Sequence, residues 1–193
     1  MGWGARAIML VLLVLSVWSV AIMLDRRKVF RTKLAGVTLD ELKMRIESSN
    51  ASTLKEWAEK NHSFLAGVVQ VALGAGSGSE SVDRAVQAYV TEQKLKLERG
   101  LSLLATFAAN SAFIGLLGTV MGIIQSFGIL SSQQGSAMNA VMFGLAEALV
   151  TTAIGIFVAV PAAIAYNLFS QKLRNSIQEA GAVRDLLISR AGR

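Results

Sequence analysis

Between Leu101 and Gln171 the chain carries a single charged side chain, Glu147. Two apolar blocks, LSLLATFAANSAFIGLLGTVMGIIQSFGIL and AVMFGLAEALVTTAIGIFVAVPAAIAYNLFSQ, flank the uncharged linker SSQQGSAMN. Each block is long enough to cross a hydrocarbon core of roughly 30 Å as a helix. A carboxylate in the middle of such a helix costs roughly 2.5–3.5 kcal/mol on insertion scales, so it faces a bundle interior or a wet cavity and is a functional candidate by default.

Composition agrees with a membrane chain: 53% of residues are hydrophobic and 17% charged. There is no Cys, which excludes disulfides and thiolate metal sites, and nothing calls for a metal or a cofactor. The net charge of +6 does not point to nucleic acid. Its clearest cluster, Arg26, Arg27, Lys28, Arg31 and Lys33, directly follows an apolar run, as expected at a cytoplasmic membrane face.

That run, Ala5 to Leu24, is a first spanning segment, with Arg6 near its start and Trp3 and Trp18 for the interfaces. A cleaved signal peptide would carry its positive charge before the apolar run and a small-residue cleavage site after it; here most of the charge follows and no such site is present. The basic residues after Gln171 (Lys172, Arg174, Arg184, Arg190 and Arg193) place the second and third spans as a hairpin that opens to the cytoplasm. The expectation is an all-α membrane protein with three transmembrane helices, N-terminus outside and C-terminus inside, whose long helices extend into the cytoplasm. The segments are 1–24 (first span), 25–100 (cytoplasmic helical region), 101–130 (second span), 131–137 (short periplasmic loop), 138–170 (third span) and 171–193 (cytoplasmic tail). No N-terminal periplasmic extension is expected.

Within the cytoplasmic region, Thr38-x-x-Glu41 and Thr53-x-x-Glu56 fit capping boxes and predict helices over about 38–48 and 53–73. GAGSGS at 74–79 predicts a break. From Glu80 to Leu130 the pattern predicts one long helix running into the membrane. His62 reads as a solvated helix residue, and Trp57 and Phe64 as packing residues.

Placed at 100° intervals, Ala140, Gly144, Ala148, Thr151, Gly155, Ala159 and Ala162 fall on one arc of the third span, with Glu147 at one edge and Thr152 at the other. The second span carries a matching stripe of Ser111, Gly115, Gly118, Thr119, Gly122 and Ser126. Small residues at four-residue spacing let helix backbones approach closely in lipid. Packing alone accounts for most of the glycines, with threonines bonding their own i−4 carbonyls. It does not call for a carboxylate. With no cation in the membrane part of the chain expected to pair with it, Glu147 is expected to be protonated, hydrated, or matched by a group on another polypeptide. One acid and a few hydroxyls on two helices cannot close a channel, so this reading requires oligomerisation.

GLLGTVMGIIQSF (115–127) and GLAEALVTTAIGIFVAVPAAIAYNLF (144–169) closely resemble the central motifs of the MotA/TolQ/ExbB proton channel family, nearest TolQ and ExbB. The resemblance implies an inner-membrane, proton-motive-force-driven motor or energy-transducing subunit in a bacterium. It implies five copies around a pore that holds an ExbD/TolR-type single-span partner with a membrane Asp, and a TonB/TolA-like periplasm-spanning protein further out. It also implies a proton pathway lined by Thr119, Glu147 and Thr152, with Thr151 beside them. Helix packing would rest on Gly115, Gly118, Gly122, Gly144, Ala148 and Gly155, with Pro161 matching the family's third-span proline. The chain departs from the pattern at Ala112, where a proline often precedes the GxxGTV motif, and at Thr151, where alanine is common. It lacks the fourth span and large charged cytoplasmic region of flagellar MotA proteins. An intramembrane enzyme would need a Ser–His pair, two acids or a metal motif; the spans hold no Asp, His or Cys. A passive oligomeric scaffold for a single-span partner is the alternative.

Overall fold

The computed structural model describes residues 3–34, 36–76, 78–132 and 138–191, and among these every regular element is a helix. Seven helices follow in order: α1 (Trp3–Lys33), α2 (Leu39–Ser48), α3 (Ala51–Lys60), α4 (Phe64–Gly74), α5 (Ser79–Glu98), α6 (Leu101–Ser132) and α7 (Met138–Ala191). Three of them, α1, α6 and α7, are long and apolar enough to cross a membrane. The expected periplasmic loop 131–137 lies outside the described residues, apart from Ser131 and Ser132 at the end of α6.

The chain divides into two compact units, Met1–Leu24 with Gly100–Asn167, and Asp25–Arg99 with Leu168–Arg193. In the first, α1 runs antiparallel to α6. Ile22 lies beside Gly100, the Trp18 and Phe107 rings meet at 5.7 Å, and Ile8 reaches Gly118. Helix α7 runs antiparallel to α6 on another face, with Gly155 against Gly115, Thr151 against Gly118 and Ala148 against Gly122. Large apolar side chains such as Leu13, Phe113, Ile124, Leu149 and Phe157 point outward. A soluble protein would bury them; a lipid-facing surface needs them.

The second unit has an ordinary hydrophobic core. Leu42, Ile46, Leu54, Phe64, Val68, Val69, Val82 and Val86 pack with Ala180, Val183 and Leu187 of α7. Phe64 stacks on Tyr89, whose phenol pKa is raised by burial and by the nearby Glu92 carboxylate. Asp83 pairs with Arg184 at 3.0 Å; the Arg184 guanidinium also bonds Asp185, which holds its pKa above the ordinary arginine value. Arg190 donates to the carbonyls of Ile46 and Ser49 at the C-terminal end of α2, where helical carbonyls lack partners.

Two expected helices are each broken in two. The first cap works as expected, Thr38 Oγ1 accepting from the Glu41 N–H. The predicted helix 53–73, however, is α3 and α4, interrupted at 61–63. Asn61 turns its amide back to the Trp57 carbonyl at 2.9 Å, and Ser63 caps a new helix by accepting from Ala66 N–H. The break turns the apolar FLAGVVQVALG into the core, and His62 becomes an exposed connector residue. Likewise the predicted helix 80–130 is α5 and α6. Gly100 adopts φ +82°, a left-handed conformation that ends a helix and that side chains with a Cβ rarely adopt. The expected break at 74–79 lies between α4 and α5, around Gly76 at φ +86°.

Arg190→Ala removes two charge-assisted bonds to otherwise unpartnered carbonyls and is expected to cost about 1–3 kcal/mol. Arg84→Ala, which removes only an exposed pair with Glu80, is expected to stay within about 0.5 kcal/mol of the parent. Thermal unfolding of the detergent-solubilised protein measures both.

Candidate functional site

The seam between α6 and α7 explains why so many positions in the hairpin are small. A Cβ on Gly155 would stand 2.7 Å from the Ser111 carbonyl oxygen and 2.8 Å from the Gly115 Cα. A Cβ on Gly115 would stand 3.1 Å from the Gly155 Cα and from the Thr151 carbonyl oxygen. These are backbone atoms that no rotamer change can move. Further along the same seam, a Cβ on Gly118 would collide with the Thr151 methyl, one on Gly122 would lie 2.6 Å from that of Ala148, and one on Gly144 would collide with the Ser126 hydroxyl. Ser111, Thr151, Ala159 and Ala162 are buried, whereas Ala140, placed on the same arc, and Pro161 are exposed. Helix α7 continues through Pro161.

The hydroxyls of the seam are engaged within the protomer. Thr119 donates to the Leu116 carbonyl at 2.7 Å and Thr151 to the Glu147 carbonyl at 3.2 Å. Ser126 donates to the Gly122 carbonyl at 2.9 Å. Thr152 instead crosses the seam and donates to the Gly115 carbonyl at 2.9 Å. Glycine opens that carbonyl to a second donor because no side chain shields it. Thr119 and Thr151 are buried, and Thr152 is half-buried.

Glu147 is half-buried and lines a cleft of about 280 Å³ with Gly122, Gln125, Ser126, Gly144 and Ala5. This space is large enough to admit several waters. The structure thus brings Glu147 into the same cleft as Gly122, Gly144 and Ala148, with Thr151 joined to it through the backbone, and sets Thr152 and Thr119 lower in the seam. Gln125 was not singled out from the sequence, although its position three residues after Gly122 gives it to the same helix edge.

The expectation that no cation in the membrane part could pair with Glu147 passed over Arg6, near the start of the first span. The contacts Ile8–Gly118 and Gly4–Met121 put Arg6 level with Thr119, and the contacts Gly118–Thr151 and Gly122–Ala148 put Glu147 about one turn away along the bundle. Arg6 is exposed. The sequence locates it in the first span; only the packing of α1 on α6 fixes its depth.

A spanning helical unit with one half-buried acid and a seam of hydroxyls defines a multi-pass membrane protein with a polar site inside its spans. Residues 56–181 match the MotA/TolQ/ExbB proton channel family, and the chain belongs to it. Among curated proteins it is 46% identical over 101 residues to a biopolymer transport protein ExbB of Xanthomonas campestris pv. campestris (strain B100), covering 52% of this chain and 40% of that protein. It is 46% identical over 93 residues to the Tol-Pal system protein TolQ of Pseudomonas aeruginosa, covering 48% and 40%. Over 117 residues it is 35% identical to a biopolymer transport protein ExbB of Aquifex aeolicus, covering 58% of this chain and 79% of that one. The chain thus spans two fifths of the length of the Xanthomonas and Pseudomonas proteins.

Gly155→Ala places a methyl group against backbone and is expected to destabilise the hairpin. Gly181→Ala, where a Cβ would meet nothing within 4 Å, is expected to be neutral or to stabilise by up to about 1 kcal/mol through helix propensity. Midpoints of denaturation in mild detergent distinguish the two.

Proposed function

We propose that this chain is a proton-channel subunit of an inner-membrane motor of the TolQ/ExbB kind, coupling the proton motive force to work in the periplasm or at the outer membrane. In this reading the N-terminus faces outward and the basic helical region lies in the cytoplasm. Five copies surround an ExbD/TolR-type single-span partner with a membrane Asp, and a TonB/TolA-like protein carries the output. Glu147, Thr152 and Thr119 form the polar wall of the proton route, and Thr151 holds the backbone on which Glu147 stands. The supporting observation is the half-buried carboxylate in a cleft large enough for water, within spans that otherwise face outward with apolar side chains.

The energetics are sufficient. One proton crossing 100 mV releases about 2.3 kcal/mol, so a few protons per step match the free energy of breaking and remaking a helix contact. A passive scaffold is the second reading. It is favoured by the way Thr119, Thr151 and Thr152 all spend their protons on carbonyls of their own protomer.

Proton flux in vesicles holding the chain with its single-span partner separates the two. Glu147→Ala and Thr152→Val are each expected to reduce flux by at least tenfold while membrane insertion and the amount of protein stay unchanged. Full flux in both variants, or no flux from the parent complex, favours the scaffold.

A further inference from the structure

We infer that Arg27, Lys28 and Arg31 of α1 bind the headgroup of an anionic phospholipid where this helix leaves the membrane. The inference concerns α1 alone and holds for either functional reading.

The cations that follow the first apolar run are Arg26, Arg27, Lys28, Arg31 and Lys33, and the structure divides them. Arg26 is turned inward, its side chain only 12% exposed; it pairs with Asp25 and donates to the Lys96 carbonyl. Phe30, on the same side of the helix, is buried and meets the Phe169 ring at 5.0 Å, which fixes the side of α1 that packs against the rest of its unit. Arg27, Lys28 and Arg31 are exposed, and no hydrogen bond or ion pair from a described residue reaches their side chains. Other exposed cations of the unit do find acids: Arg84 pairs with Glu80 and Lys96 with Glu92.

Position along the helix says what covers these three. The exposed apolar side chains Leu13, Val17, Val20 and Leu24 run down one side of α1. At 100° per residue Arg27, Lys28 and Arg31 continue that arc, within about 60° of Leu24 and one to two turns beyond it. Acyl chains lying along the apolar stripe therefore end in headgroups at the level of the cations. Arg27 and Arg31, four residues apart, stand about 6 Å from each other on the helix surface. One phosphate bridges that spacing, and each guanidinium fork binds two phosphate oxygens at once.

Charge then chooses among headgroups. A zwitterionic lipid brings an ammonium that needs an acid, and the one acid of α1, Asp25, is held by Arg26. Three unpaired cations with no free carboxylate on their helix select a headgroup of net negative charge.

The test is native mass spectrometry of the full chain in mild detergent, titrated with phosphatidylglycerol or with phosphatidylcholine of the same acyl chains. The parent is expected to retain phosphatidylglycerol in preference, and to lose that preference as ammonium acetate rises from about 0.1 M to 1 M. Arg27→Gln/Lys28→Gln/Arg31→Gln is expected to lower the retained phosphatidylglycerol by at least about tenfold. The charge-matched variant Lys43→Gln/Lys55→Gln/Lys60→Gln, on α2 and α3, is expected to keep it. Equal retention of the two lipids by the parent overturns the inference whether or not the variants fold. Undiminished retention in the α1 variant overturns it as well. So does an equal loss in the charge-matched variant, which assigns the preference to net charge. Displacement of the lipid by inorganic phosphate at matching concentration also overturns it, assigning the site to a soluble anion.

Discussion

The membrane unit depends on backbone meeting backbone at Gly115 and Gly155. In water, two helices associate because burying apolar side chains releases solvent. In lipid that drive is absent, and close packing with interhelical hydrogen bonds must replace it. Here the replacement is local and specific. Glycine on both helices removes the side chains that would hold the axes apart, and the shortened separation lets the Thr152 hydroxyl reach the Gly115 carbonyl across the seam. The same approach sets the register of the hairpin, because Gly118 receives the Thr151 methyl and Gly122 the Ala148 methyl one and two turns further along the seam. Glu147 inherits its position from that register. It lies one residue before Ala148 and one turn before Thr151, so the seam that fixes those two also turns the acid into the cleft.

The two units obey different rules, and the chain is written accordingly. The unit containing α2–α5 buries Leu, Ile, Val and Phe inward and leaves Lys, Glu and Asp outside, as a water-soluble bundle does. The unit containing α6 inverts this, with small and hydroxylated residues inside and Leu, Phe and Ile outside. Gly100, in a left-handed conformation between the end of α5 and the start of α6, marks the change of rule along the chain.

Much of the membrane unit was legible in the sequence, because the solvent there selects on a single property per face. Once residues are placed at 100° intervals, the small-residue arc of α7 and the stripe of α6 follow directly, and the acid at the edge of the arc is visible. What could not be read was how one helix slides against another. Periodicity gives faces and says nothing about register, so the depth of Arg6 emerged only with α1 packed on α6. In the other unit the misreadings have the opposite cause. A helical pattern of apolar residues continued straight through Asn61–Ser63 and through Gly100, since breaks of two or three residues barely disturb a period of 3.6. The capping chemistry of Ser63 and the left-handed φ of Gly100 outweighed it. A lone glycine within a helical pattern is ambiguous between a tolerated cost of about 1 kcal/mol and a helix end, and here it was the second.

The hydroxyls constrain what the site can do as much as the carboxylate does. Each has one proton to donate, and in this conformation Thr119, Thr151 and Thr152 all give theirs to backbone carbonyls. Their oxygens keep lone pairs that accept from water, so the seam can orient waters and stabilise an excess proton on them without itself passing a proton along. Glu147 is different, since a carboxyl group both takes up and releases a proton. In the proposed reading, a route built from these parts would divide the labour, with the threonines holding water in line and the acid setting the charge that the line senses. The division has a structural consequence. The Thr152 bond that staples α6 to α7 would have to open for that hydroxyl to donate to water, so proton movement and slippage of the hairpin would share one coordinate. A coupling of that kind is what a motor requires and a passive pore does not.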